Sequence, residues 1–187
     1  MKRAAAFICI LALLVLSGCS SGAGQIELPT GPRGDYAGFN GLPESCTLEE
    51  AGKLGYYVIL DLEDSKNRDA WNQFVRDAQN GRDVNIRLAQ FYSEGESKAY
   101  FLDLYHLNGS YYLFDESAGK QKPEPYPYLL TLRGADGIPP KENTAVVLSK
   151  DDALTFRDVM QSIYSSTIPK EPKQFRIAFF RNPAEFH

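Results

Sequence analysis

The sequence predicts an α+β fold: an antiparallel or mixed β-sheet with two main amphipathic helices packed on it, as a single domain over residues 47–187. Three observations carry that expectation. Aromatic residues are plentiful, with 11 Tyr, 11 Phe and 1 Trp, and flat rings suit a pleated surface. Apolar residues alternate with polar ones in short runs and recur at helical spacing in two longer ones. Asn108-Gly109 separates two aromatic runs, and it is the strongest short hairpin signal because both central residues of a type I′ turn take positive φ.

The elements follow in chain order. Thr47-Leu48-Glu49-Glu50 fits a capping box, and Gly55 ends the short helix that it starts. Tyr56 to Leu62 is rich in aromatic and β-branched residues and reads as a strand. The polar stretch from Glu63 to Arg68 leads into a helix with Asn67 as N-cap and Gly81 as stop. Ala70, Trp71, Phe74, Val75 and Ala78 fall on one face of that helix. Val84, Ile86 and Leu88 alternate with polar residues as in a half-buried strand. Ser93 to Ser97 is a turn, Lys98 to Leu107 a strand, and Ser110 to Asp115 its antiparallel return.

The turn at Asn108-Gly109 fixes the pairing. Leu107 faces Ser110, Tyr105 faces Tyr112 and Asp103 faces Phe114. One side of the ribbon then carries Leu102, Leu104, His106, Tyr111 and Leu113. The other carries Phe101, Tyr105, Tyr112 and Phe114. Both sides call for cover. The first long helix suits one, and the second helix is the expected cover of the aromatic side. If uncovered, Phe101, Tyr105, Tyr112 and Phe114 form a candidate surface for a protein, peptide or glycan ligand.

Residues 117–127 form a loop, with Pro123, Pro125 and Pro127 favouring an extended path. Tyr128 to Arg133 and Thr144 to Leu148 read as strands around an Ile138-Pro139-Pro140 turn. A second helix is expected from Ser149-Lys150-Asp151-Asp152, with Ala153, Phe156, Val159, Met160 and Ile163 as its apolar stripe. Arg176 to Phe180 is a last strand.

Ahead of this domain stand a leader and a tether. Lys2 and Arg3 form a positive start, and Ala4 to Leu16 carries no charge. That run is the length of a signal-peptide core and falls short of the roughly 20 residues that span a bilayer as a helix. It ends in Leu16-Ser17-Gly18-Cys19, which resembles the lipobox of bacterial lipoproteins. The resemblance implies a signal peptide over 1–18 and cleavage between Gly18 and Cys19. It also implies diacylglycerol, with palmitate-type acyl chains, on the Cys19 thiol. Residues 19–46 would be the lipidated flexible tether, since their apolar residues have no period and glycine and proline recur. Arg33-Gly34-Asp35 within it reads as a chance tripeptide of a glycine-rich segment.

Charge and cysteine usage fit that address. The chain holds 20 basic and 24 acidic residues, and loss of the leader with Lys2 and Arg3 would leave a net charge near −6. No basic cluster marks nucleic-acid binding or attraction to anionic lipid. Of the 3 cysteines, Cys9 lies in the leader and Cys19 would carry lipid, so Cys46 has no partner for an intramolecular disulfide; it reads as a buried apolar residue ahead of a free thiol or an intermolecular bridge.

From Thr47 to about Asp115 the chain resembles small lipoproteins of Gram-positive bacteria with an uncharacterised C-terminal domain. The segments that carry this are Leu48 to Ile59, Trp71-Asn72-Gln73-Phe74 with Asn80-Gly81, Asn85-Ile86-Arg87-Leu88, and Tyr92-Ser93-Glu94-Gly95. These are structural motifs. The resemblance implies an address and a fold, and no catalytic residue.

No catalytic, metal or cofactor motif emerges. His187 is terminal, and His106 lies on the apolar side of the hairpin, where packing is the commoner role. Asp61, Glu63 and Asp64 lack the spacing of a calcium loop and read as a solvated turn. The expected protein is thus a lipoprotein of the cell membrane's extracytoplasmic face, acting as a non-catalytic interaction module without cofactor. Its partners would be the membrane, through the lipid, and an envelope protein, peptide or glycan. The rival expectations are an envelope hydrolase or transferase using carboxylate, tyrosine and His106 groups, and an accessory subunit of another envelope protein.

Overall fold

The computed structural model describes residues 26–43, 45–93, 98–165 and 174–182. The leader with Gly18 and Cys19, residues 94–97 of the predicted turn, and His187 lie outside the described residues. The α+β class is as the sequence predicts: a five-stranded mixed sheet and a three-stranded antiparallel sheet, with helices packed on both.

Helix α1 (Leu48–Lys53) starts from Thr47, whose side chain and that of Glu50 cap each other's backbone amides reciprocally. Strand β1 (Tyr57–Leu60) turns back at once into β2 (Glu63–Lys66), with Asp61 and Leu62 both at positive φ. Helix α2 (Arg68–Gln79) follows. Its predicted cap, Asn67, is itself left-handed at φ 55° and makes no side-chain cap. Instead its amide donates to the carbonyls of Gly52 and Tyr56, each at 2.8 Å, which pins α1 to the start of α2.

Strand β3 (Val84–Phe91) runs parallel to β1 and antiparallel to β4 (Tyr100–Leu107). The hairpin to β5 (Ser110–Asp115) turns at Asn108 and Gly109, with φ of 50° and 76°, and pairs in the predicted register from Leu107↔Ser110 to Asp103↔Phe114. The larger sheet has the order β2-β1-β3-β4-β5. Strands β6 (Tyr128–Asp136), β7 (Lys141–Ser149) and β8 (Phe175–Arg181) form the smaller one in that order.

The two sheets share the main core. Leu88, Leu102, Leu104 and Leu113 of the larger sheet meet Trp71 and Phe74 of α2. Val146 and Leu148 of β7 and Phe179 of β8 close the same cluster. Trp71 stacks on Tyr57 at 5.6 Å and meets the Phe179 ring edge-on at 5.1 Å. Side-chain links tie the sheets further: Arg176 Nη1 donates to the Leu113 carbonyl at 2.7 Å, and Asp64 takes ion pairs from Arg68 and Arg181.

Helix α3 (Phe156–Tyr164) covers the outer face of the smaller sheet, burying Phe156 and Val159 against Ala145 and Val147. Two expectations are corrected here. The helix begins later than Asp151-Asp152, because Thr155 and Asp158 form a capping box, while Asp151 caps a preceding turn through the Ala153 amide. Helix α3 also lies away from the aromatic side of the β4–β5 hairpin, since its stripe is already committed to β6 and β7.

The aromatic side is covered instead by residues 26–43, the segment expected to be tether. Ile26, Leu28, Tyr36 and Phe39 pack on Tyr105, Leu107 and Phe114. Phe39 and Leu42 continue over Phe91, Phe101 and Cys46. This N-terminal strap has almost no regular structure; a bridge between Thr30 and Tyr36 closes a turn that carries Arg33-Gly34-Asp35 at its tip. It is held by specific side chains, and so shows no period in the sequence.

Close packing in the smaller sheet dictates one glycine. A Cβ on Gly134 would stand 2.4 Å from Cδ1 of Phe156, whose ring lies flat over the strand at that point. Gly134→Ala is expected to cost about 1–3 kcal/mol by overpacking, read by urea unfolding, and Phe156→Leu in the same chain should restore part of the loss.

Candidate functional site

Two places concentrate polar or exposed chemistry. The first lies where the strap crosses β3 and β4. Arg87 of β3 and Asp103 of β4 face each other across the ladder. The guanidinium grips the carboxylate with both arms, Nε to Oδ1 at 2.6 Å and Nη2 to Oδ2 at 2.5 Å. The Asp103 side chain is 4% exposed and that of Arg87 21%. Burying such a pair is costly unless every remaining hydrogen-bonding position is filled.

The strap fills them. The Tyr36 hydroxyl donates to Oδ2 of Asp103, and Arg87 Nη2 donates to the Gly38 carbonyl at 2.7 Å. The Tyr105 hydroxyl lies 3.1 Å from that of Tyr36. The rings of Phe39 and Tyr56 each stand 5.6 Å from the guanidinium carbon. Tyr36 also stacks on Phe114 at 3.6 Å, with the planes 6° apart. Burial, then the hydrogen bond to Asp103, pushes the Tyr36 hydroxyl far above the ordinary tyrosine range. Burial also works against the Arg87 charge, but the Asp103 carboxylate outweighs it and holds the guanidinium more firmly protonated than usual. Tyr36 therefore stays neutral and Arg87 stays charged across the accessible pH range. They form a structural latch.

The predicted aromatic surface is corrected by the same geometry. Phe101, Tyr105 and Phe114 are buried, and Tyr112 is half-buried. They do not form an exposed docking patch, because the strap occupies that face.

The other candidates from the sequence are dispersed. His106 is buried, with Nδ1 2.7 Å from the Arg82 carbonyl and its ring 4.7 Å from that of Tyr111. Asp61 accepts from the Ser93 amide, and Asp64 accepts from the Tyr57 hydroxyl and pairs with two arginines. Among the described residues no group of histidine, cysteine and acidic side chains is arranged to hold a metal ion. Cys46 is buried in the cluster beneath Phe39 and Leu42, and its thiol is pushed up first by burial and then by the Glu50 charge, so it stays protonated and unreactive.

The second place is a groove of about 880 Å³ between β6 and α3, which the sequence did not mark. One wall is the strand from Arg133 to Asp136; the other is the helix face with Arg157, Met160 and Tyr164. Exposed apolar groups gather at this end: Ile163, Tyr164 and, at the tip of the β6–β7 hairpin, a fully exposed Ile138. The Tyr164 hydroxyl donates to Asp136. The only sequence sign was Ile163, which falls on the helical stripe yet is half exposed.

Compared with protein families, with curated proteins and with solved structures, the chain gives no match.

Removing one partner of the latch leaves the other buried and uncompensated. Asp103→Ala should therefore cost about 3–5 kcal/mol. Tyr36→Phe removes one bond to a charged group and should cost about 1.5–3 kcal/mol. Denaturant titration gives both values. Limited proteolysis at Arg33 should quicken in both variants as the strap lifts.

Proposed function

We propose that this chain is a lipid-anchored lipoprotein of the extracytoplasmic membrane face, working as a non-catalytic interaction module of the cell envelope. The observation that carries the proposal is the compound leader: Lys2-Arg3, the uncharged run from Ala4 to Leu16, and Leu16-Ser17-Gly18-Cys19. Each part has a physical reason. The cation start sets orientation, the apolar run engages the export machinery, and small residues let the backbone enter a protease cleft ahead of the thiol that accepts lipid. Two or more acyl chains, at about 0.8 kcal/mol for each buried methylene, make such anchoring stable. The resemblance of residues 47–115 to small Gram-positive lipoproteins supports the same reading.

No described helix is long and apolar enough to cross a membrane. The interaction role is favoured by how the polar side chains are used. The Arg87–Asp103 pair, Asp64 and His106 each serve a structural bond within the domain. The end of the domain formed by β6 and α3 is open to partners.

The test is a Cys19→Ser chain expressed beside the parent in a host that lipidates exported proteins. The parent should incorporate labelled palmitate and sediment with membranes; the variant should lose the label and stay unprocessed. Equal labelling of the two chains would sink the proposal.

A further inference from the structure

The strap is a layer apart from the fold that it covers. None of its residues from Ile26 to Pro43 is fully buried, whereas Cys46, Ala51, Tyr57 and Val58 just beyond it are. The main core shared by the two sheets contains no strap residue. Much of the strap's hydrogen bonding is internal: the Gly31 amide donates to the Asp35 carbonyl, Ala37 to Pro29, Asn40 to Ala37 and Leu42 to Phe39. Its bonds to the rest of the domain gather at Tyr36 and Gly38, through Asp103, Tyr105, Arg87 and the Gln121 carbonyl. The ladders that pair β3, β4 and β5 run beneath it and use none of its groups.

Units with few buried contacts open at a lower free energy than the fold as a whole. Lifting the strap also lets water return to Arg87 and Asp103, so the charged pair is not stranded. The cost falls on Phe101, Tyr105, Leu107 and Phe114, which lose apolar cover.

Length decides what such an opening does. The strap has 18 residues, which reach about 60 Å when extended. The face it covers follows β4 from Leu107 to Phe101, six steps or about 20 Å. Opening therefore gives out about 40 Å of chain.

We propose that the strap is stored slack: a pull on the N-terminal end of the chain undoes the Tyr36 latch, frees residues 26–43 as one unit and lengthens the tether while both sheets stay folded. The anchor proposed at Cys19, on which this inference rests, supplies the setting. Any pull between membrane and domain then reaches Ile26 before it reaches the fold, and the latch sets the load at which the domain gains reach.

The test uses no lipid, so its failure and that of the anchor are distinguishable. The full chain in detergent micelles is held by a tag at Met1 and by an azide-bearing residue at the exposed position of Gln79, and is stretched in an optical trap. A first, reversible step of about 40 Å is expected, ahead of a separate step in which the remaining chain between the handles unfolds. Tyr36→Phe should shorten the lifetime of the closed strap at constant force by about tenfold or more and leave the second step unchanged. Gly38→Ala, whose added methyl would overlap the Tyr36 hydroxyl, should act in the same way. A single step, a first step of another length, a first step indifferent to both substitutions, or a second step shortened equally by them would each overturn the proposal.

Discussion

The domain is organised around the paired charges of Arg87 and Asp103, set side by side on β3 and β4 beneath a segment of irregular chain. A carboxylate and a guanidinium leave water only if something replaces the hydration they lose. Each supplies part of the replacement to the other. The rest comes from Tyr36 and Gly38, which belong to a stretch of chain 49 or more residues earlier. The same strap lays Ile26, Leu28 and Phe39 over the aromatic rings of the hairpin. Polar satisfaction and apolar cover therefore arrive together, and neither face of the larger sheet is left bare.

The opposite face shows a different solution to the same requirement. There the cover is regular: α2 on one part and the smaller sheet on the other, with Trp71, Tyr57 and Phe179 meeting at the junction. The smaller sheet in turn needs α3 on its far side. Each layer buries one face of the next, so the architecture ends where a face or an edge can tolerate water. On the larger sheet the end strand β2 is polar, and on the smaller sheet β6 presents a row of backbone groups beside the groove under α3.

What could be read in the sequence follows from this contrast. The hairpin register was legible because two residues with positive φ fix it locally. Helix α2 was legible because Trp71, Phe74 and Ala78 recur at helical spacing and meet a single flat surface. Strand β2 was not, since Glu63 to Lys66 contains nothing apolar and its identity comes only from pairing with β1. The acids at Asp151 and Asp152 suggest an earlier start for α3 than the capping box at Thr155 and Asp158 gives it. The strap departs furthest from expectation, since residues 26–43 read as flexible tether and instead pack on the sheet. Its anchors are held by partners distant in sequence, and no period betrays them. The sign available was indirect: an aromatic ribbon with too much surface, and Tyr36 and Phe39 among glycines and prolines. The β6–α3 groove left still less trace, because it is made by an edge and a gap, and neither is a property of any one residue.

The position of the strap sets how long a leash the proposed anchor at Cys19 would have. With chain from Ile26 onward engaged on the sheet, only seven steps separate it from Cys19. Fully extended, those steps reach about 25 Å, less than the thickness of a bilayer's hydrocarbon core. Under the proposed anchoring, a globule so closely moored would ride beside the lipid headgroups, and would meet its surroundings at arm's length from the surface, not from the far end of a swinging cord.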